Sequence, residues 1–259
     1  MRERDVLLYI FPLLQLSFFA LAFWSPLGQG PVFLFLSGFC LCFSIHISFH
    51  ELIHRTHQRQ ADSWTFYFAT LIIGLPLDGY RLHHLNHHRF ENKLGDYSST
   101  WRMTSQGPSK YAVWFYCLAW PYFIFISRQG MKDSLESGQT VPFHQVRLIR
   151  QKIFFFLVLV SFVLFPDFGL KYLAMTYIGW AFTSLQNFGQ HWAEEYDSAQ
   201  TQSCGGRTYN FFLGNNGLHW EHHARPELPW FILKTSPEAP RISCPHLLHP
   251  LRTNYESKF

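Results

Sequence analysis

Most of the fifteen histidines in this 259-residue chain fall in four short stretches. These are HELIH at 50 to 54, HHLNHH at 83 to 88, NFGQH at 187 to 191 and HWEHH at 219 to 223. On an α-helix, positions i, i+3 and i+4 share a face, so HxxHH aims three imidazoles at one place and HxxxH aims two. An imidazole lone pair is a ligand for zinc, copper, iron or nickel alike. His50, His54, His84, His87, His88, His191, His219, His222 and His223 make nine candidate ligands. One tetrahedral zinc takes four, so two metal ions are implied.

Such clusters need helices to hold them, and the composition says where those helices lie. At 48% hydrophobic and 19% aromatic, with 28 Phe, the chain favours a bundle of membrane helices. A mean hydropathy of −0.03 is low for spans alone, so apolar stretches alternate with a polar part that carries the histidines. Residues 6 to 24 and 31 to 49 are each close to the roughly 20 apolar residues that cross a bilayer. The first is too long for a signal-peptide core and no A-x-A site comes after it, so it reads as a retained span. Arg2 and Arg4 precede this hairpin and Arg55 and Arg59 succeed it, which puts both ends in the cytoplasm and HELIH at the cytoplasmic mouth. A second hairpin is expected from Ile153 to Phe165 and from Phe168 to about Gln186, turned at Pro166 and Asp167. The apolar stretches at 64 to 77 and 111 to 126 are shorter, so re-entrant or interfacial helices compete with spans there. The expectation is a single all-α integral membrane domain over residues 1–259. It has four to six transmembrane or re-entrant helices, a cytoplasmic histidine cap and an irregular, proline-punctuated tail from about 231.

Several function classes drop out. The net charge of +4 is mild and no Lys/Arg cluster is interleaved with aromatics, which argues against a nucleic-acid surface. The five cysteines form no CxxC pair, so neither a disulfide framework nor a thiolate-bound metal is expected. HELIH by itself has the spacing of a zinc protease, with Glu51 as general base. Leu77-Asp78-Gly79 also resembles the LDG motif of site-2-type intramembrane proteases. Only 23 residues separate His54 from Asp78, however, and that reading leaves the other seven imidazoles without work. A metal transporter would place polar ligands on broken helices at mid-membrane, whereas these clusters lie at the membrane edge.

The clusters, taken with their flanks, resemble the membrane fatty acid desaturase and hydroxylase superfamily, whose three histidine boxes bind a non-haem di-iron centre. His50-x-x-x-His54 matches the first box, Arg81-x-x-His84-x-x-His87-His88 the second and His219-x-x-His222-His223 the third. Asn187-x-x-x-His191 resembles the extra element of some members, in which the His binds iron and the Asn acts through water. HHRFENKLGD, with Asn92 and Asp96, and HHARPELPW are also similar to family sequence. His83 is an alternative to His84, because His83-x-x-x-His87-His88 is a spacing some relatives use; the preceding Arg81 favours His84. His46, His57, His144, His246 and His249 are read as non-ligands. Asp96 and Glu221 are the preferred carboxylates for bonding a ligand's second nitrogen, ahead of Glu51, Glu194 and Glu195.

The resemblance implies two Fe ions, O2 as co-substrate and attack on an unactivated C–H bond of a lipid or other hydrophobic substrate. Desaturation of a fatty acyl chain is the favoured outcome. Hydroxylation or ketolation of a carotenoid, terpenoid or alkane is the alternative. No cytochrome b5 HPGG, CxxC pair or GxGxxG loop appears. An external electron donor is therefore expected: a ferredoxin, a rubredoxin, or cytochrome b5 with its reductase.

Overall fold

The computed structural model describes residues 7–25, 28–55, 64–93, 95–100, 110–125, 127, 145–192 and 201–252. The fold is mostly helical. In chain order the first helices are α1 (Leu7–Trp24), α2 (Gly30–Phe43), α3 (His50–Arg55), α4 (Trp64–Ile73), α5 (Leu77–Phe90), α6 (Lys110–Leu118), α7 (Gln145–Leu164) and α8 (Pro166–Gln190). Short elements complete the chain: β1 (Ser203–Cys204), α9 (Arg207–Phe212), α10 (His219–Ala224), β2 (Arg241–Ile242) and α11 (His249–Arg252). The two-residue strands pair in parallel, Ser203 opposite Arg241 and Cys204 opposite Ile242. They are the only departure from an all-α architecture among the described residues. The chain divides into two compact units, residues 1–82 with 128–180 and residues 83–127 with 181–259.

In the first unit, the end of α4 is closed by other helices. Leu71, Ile72 and Ile73 lie in its last turn, where carbonyls have no partner within the helix. The Tyr172 hydroxyl donates to Leu71 O at 2.6 Å, Gln15 Nε2 to Ile72 O at 2.8 Å and Trp180 Nε1 to Ile73 O at 2.8 Å. Gly74 then turns the chain with φ of +72°, and Thr176 occupies the space a side chain there would need. Gln15 is fully buried and also accepts Ser37 Oγ on its carbonyl at 2.8 Å. One polar residue thus ties α1, α2 and α4.

Between α2 and α3 the helix widens into a π turn over Ser44–Phe49, directly before HELIH. A π turn carries an extra residue per turn and so rotates the next helical segment about its axis. The combined helix Gly30–His54 is long and apolar enough to cross a membrane. α1 and α7 contain shorter apolar stretches, Leu8–Trp24 and Lys152–Leu164. The outward faces of α1, α7 and early α8 are apolar, with Leu13, Phe156, Leu159, Val163 and Leu170 all more than half exposed.

α2 and α8 approach closely because glycine sits on both. A Cβ at Gly38 would lie 2.6 Å from Ile178 Cγ2, and one at Gly179 would lie 2.5 Å from Leu41 Cδ2 and 2.8 Å from Leu41 Cβ. Since Leu41 Cβ cannot swing away, Gly179→Ala should force the helices apart at a cost of about 1–3 kcal/mol. The expected result is a lower thermal midpoint in detergent. A midpoint equal to the parent's would show that the contact does not matter.

Candidate metal centre

The second unit holds two apolar clusters among its described residues. One cluster places Val113, Tyr116 and Cys117 of α6 against Leu185 and Phe188 of α8, and another holds Leu218, Trp230 and Leu233. The unit's buried polar residues include His84, His87, His191, His219 and His222. His87 comes from α5, His191 from the residue after α8, and His219 and His223 from α10. One ring nitrogen of each lies within 4.8 Å of those of the others. His191 Nε2 is 2.8 Å from His87 Nε2 and 2.8 Å from His219 Nε2.

That arrangement limits what hydrogen bonding alone can satisfy. A neutral ring nitrogen either carries a proton or offers one lone pair, so His191 Nε2 can satisfy only one of its two neighbours by hydrogen bonding. Nitrogens each about 2.1 Å from one ion lie roughly 3 Å apart, close to the spacing in this group. Further in favour of a cation, His223 Nε2 is buried with no hydrogen-bond partner among the described residues. A second trio repeats the pattern: His88 Nε2 is 2.9 Å from His84 Nε2 and 3.0 Å from His222 Nε2. These donor sets fit a first-row divalent ion.

The His87 ring is held by a carboxylate. Its Nδ1 donates to Asp96 Oδ2 at 2.8 Å, which leaves the Nε2 lone pair facing the group. Burial alone would push the Asp96 carboxyl up. The His87 ring and the N–H donors of Ser98 and Asn92 outweigh it and hold the group below the ordinary carboxylate range. Burial first, then neighbouring imidazoles, hold His191, His219 and His223 well below the usual histidine value. At neutral pH these rings are uncharged, as a ligand must be.

The third-box helix is braced from the tail. Glu221 is buried and its carboxylate accepts Arg241 Nη2 at 2.6 Å, the Ser236 N–H at 2.9 Å and the Ser203 hydroxyl. It therefore anchors α10 to β1 and β2. Trp230 lies over His222, with ring centroids 4.2 Å apart and planes 32° apart.

The remaining sequence-predicted residues take other places. His83 turns from the trio toward Ser98, its Nδ1 3.2 Å from Oγ, while His84 joins His88 and His222. Asn187 donates from Nδ2 to the Tyr116 hydroxyl at 2.7 Å, which donates in turn to Ser98 O at 2.8 Å. In the first unit, His50 and His54 lie together on α3 with ring centroids 4.6 Å apart, and Arg81 Nε donates to Ile53 O of the same helix at 3.0 Å. Asp78 is buried and is in neither of the two histidine groups of the described residues. His57, His144, Glu194 and Glu195 lie outside the described residues. Glu91 was not anticipated: its carboxylate is 3.8 Å from His223 Nδ1 and accepts the Thr201 hydroxyl. An acid three residues past a box, at a helix end, is the signal that would have found it.

A family model described as fatty acid desaturase matches residues 9–236, a span that contains all nine histidines. The chain belongs to the fatty acid desaturase family. It is similar to sphingolipid delta(4)-desaturase DES1 of Mus musculus, 25% identical over 218 residues, covering 80% of this chain and 62% of the relative. It is also similar to sphingolipid delta(4)-desaturase/C4-monooxygenase DES2 of Homo sapiens, 25% identical over 219 residues, covering 78% and 64%. The chain thus spans less than two thirds of the length of these curated relatives. No solved structure matches it significantly.

Two outcomes test this centre. Asp96→Asn removes the charge behind His87 and should weaken metal affinity about 10- to 100-fold, read by competition with a chelator. The second concerns pH. With folded values below the unfolded one, the unfolded chain binds more protons once the pH falls below about 6.5, so stability of the metal-free protein declines there. Asp96, also depressed, adds a further loss as the pH falls through the carboxylate range. A thermal midpoint steady between about pH 8 and 7 and falling toward pH 5 is expected; one that rises on acidification would contradict the buried neutral imidazoles.

Proposed function

We propose that this chain is an O2-dependent oxidoreductase that introduces a double bond into a fatty acyl chain of a membrane lipid. The nine box histidines hold two Fe ions, with His87, His191, His219 and His223 serving one of them. The observation that carries this reading is the convergence on His191 Nε2, which a metal ion resolves and hydrogen bonding does not. Bound iron would supply the redox chemistry that removes hydrogen from an unactivated C–H bond. The protein's own part is to orient and exclude water. Asp96 fixes which nitrogen of His87 carries its proton. Glu221, through Arg241 and Ser203, keeps α10 in place, and Trp230 covers His222. Asn187, whose amide engages Tyr116, is proposed to reach the metal through water.

The membrane setting belongs to the same reading. Gly30–His54 and the apolar outer faces of α1, α7 and α8 support a multi-pass protein with the boxes at the cytoplasmic face. Electrons arrive from a separate carrier: a ferredoxin, a rubredoxin, or cytochrome b5 with its reductase. The names of the relatives favour a sphingolipid-type substrate. The relative named as a C4-monooxygenase also supports hydroxylation as the second reading on the same scaffold.

Purified full-length protein, assayed by metal mass spectrometry, should hold two irons per chain and lose iron in His222→Ala and His223→Ala. Cells expressing the parent should gain an unsaturated lipid species that both variants lack; a hydroxylated species instead selects the second reading. One zinc per chain, lost with His50→Ala but indifferent to His222→Ala, would overturn the proposal.

A further inference from the structure

The turn after the second box does more than carry Asp96. Glu91 and Asn92 both take left-handed backbone conformations, with φ of 44° and 65°, and reverse the chain at the end of α5. Asn92 is 1% exposed and each of its polar groups is used. Its N–H donates at 2.7 Å to Asp96 Oδ2, the same oxygen that receives His87 Nδ1. Its Nδ2 donates to the main-chain carbonyl of His191 at 3.2 Å. Its Oδ1 accepts the Thr100 N–H at 2.9 Å, and its carbonyl accepts Ser99 Oγ at 3.0 Å. The Thr100 hydroxyl sits 3.2 Å from both Asn92 Oδ1 and His191 O.

One residue therefore grips the supports of two candidate ligands, one on α5 and one just past the end of α8, that are 104 positions apart in sequence. It holds His87 through the carboxylate behind the ring and His191 through its backbone. None of these bonds goes to His84, His88 or His222. The position asks for a residue that tolerates positive φ and offers both a donor and an acceptor, and asparagine combines the two.

We propose that Asn92 is a positioning residue for one metal ion only, setting the separation of the His87 and His191 nitrogens while leaving the ion served by His84, His88 and His222 unaffected. This rests on the two-ion reading above. Misplaced ligands bind more weakly, because the protein must be distorted before both nitrogens reach the ion.

The test is titration of metal-free, full-length protein in detergent with cobalt(II) alone, tracking bound metal per chain and the cobalt absorption bands. Asn92→Gly keeps the left-handed backbone and the N–H to Asp96 but deletes the amide. It should bind one cobalt with parent affinity and the other about 10- to 100-fold more weakly, with the bands of a single site lost first. Asn92→Asp, which keeps the acceptor and loses the donor to His191, should weaken the same ion, and so should Asp96→Asn. His84→Ala should weaken the other. Should Asn92→Gly not fold, Asn92→Asp and Thr100→Val provide the same reading with less disruption. A parent that binds two ions and an Asn92 variant that binds both as the parent does, or loses both equally, overturns this inference alone. A parent that binds fewer than two overturns the two-ion reading and this inference with it.

Discussion

A ring nitrogen cannot at once donate a proton and offer a lone pair. In this protein two such nitrogens, His191 Nε2 and His88 Nε2, each sit at about 3 Å from two others. Hydrogen bonds alone cannot account for that packing, and burying so many polar atoms without partners would cost several kcal/mol. The second unit is arranged around this constraint. Burial keeps His191, His219 and His223 neutral, Asp96 fixes the His87 ring, and the third-box helix is braced by polar side chains.

That bracing explains how elements of six residues or fewer persist. α10 and the two-residue strands have too few internal bonds to stand alone. Glu221 accepts bonds from Ser203, Ser236 and Arg241, so the proline-rich tail becomes part of the support of the third box. Leu218, Trp230 and Leu233 supply the apolar side of the same clamp. A metal ion held by these histidines would add to such a fold directly, since the free energy of ligation is available only to the folded arrangement.

The first unit solves a different problem. Its helices expose apolar faces, so their polar ends are satisfied by one another: Tyr172, Gln15 and Trp180 each close one carbonyl of α4. Glycines at 38 and 179 permit the close approach of α2 and α8, so packing rather than polarity holds that pair. The π turn before His50 then sets the rotation of the first box at the end of the long apolar helix.

Much of this was legible in the chain. Apolar runs and their punctuation marked the helices: the turn at Pro166 and the stretch around residues 31 to 49 fall where composition put them. Helical spacing told which histidines share a face, and the family pattern supplied the rest. The information carried by residue order was therefore local: helix content, and the clustering of imidazoles one turn apart. Packing brings residues of separate clusters together, since His87 lies beside His191 across more than a hundred residues, His191 lies beside His219, and His83 lies against Ser98 while its neighbour His84 lies beside His88. Packing also assigned Asp96 to back His87 and Glu221 to anchor the tail. Spacing fixes direction only within one helix, whereas which carboxylate reaches which ring depends on how separate helices and turns come together.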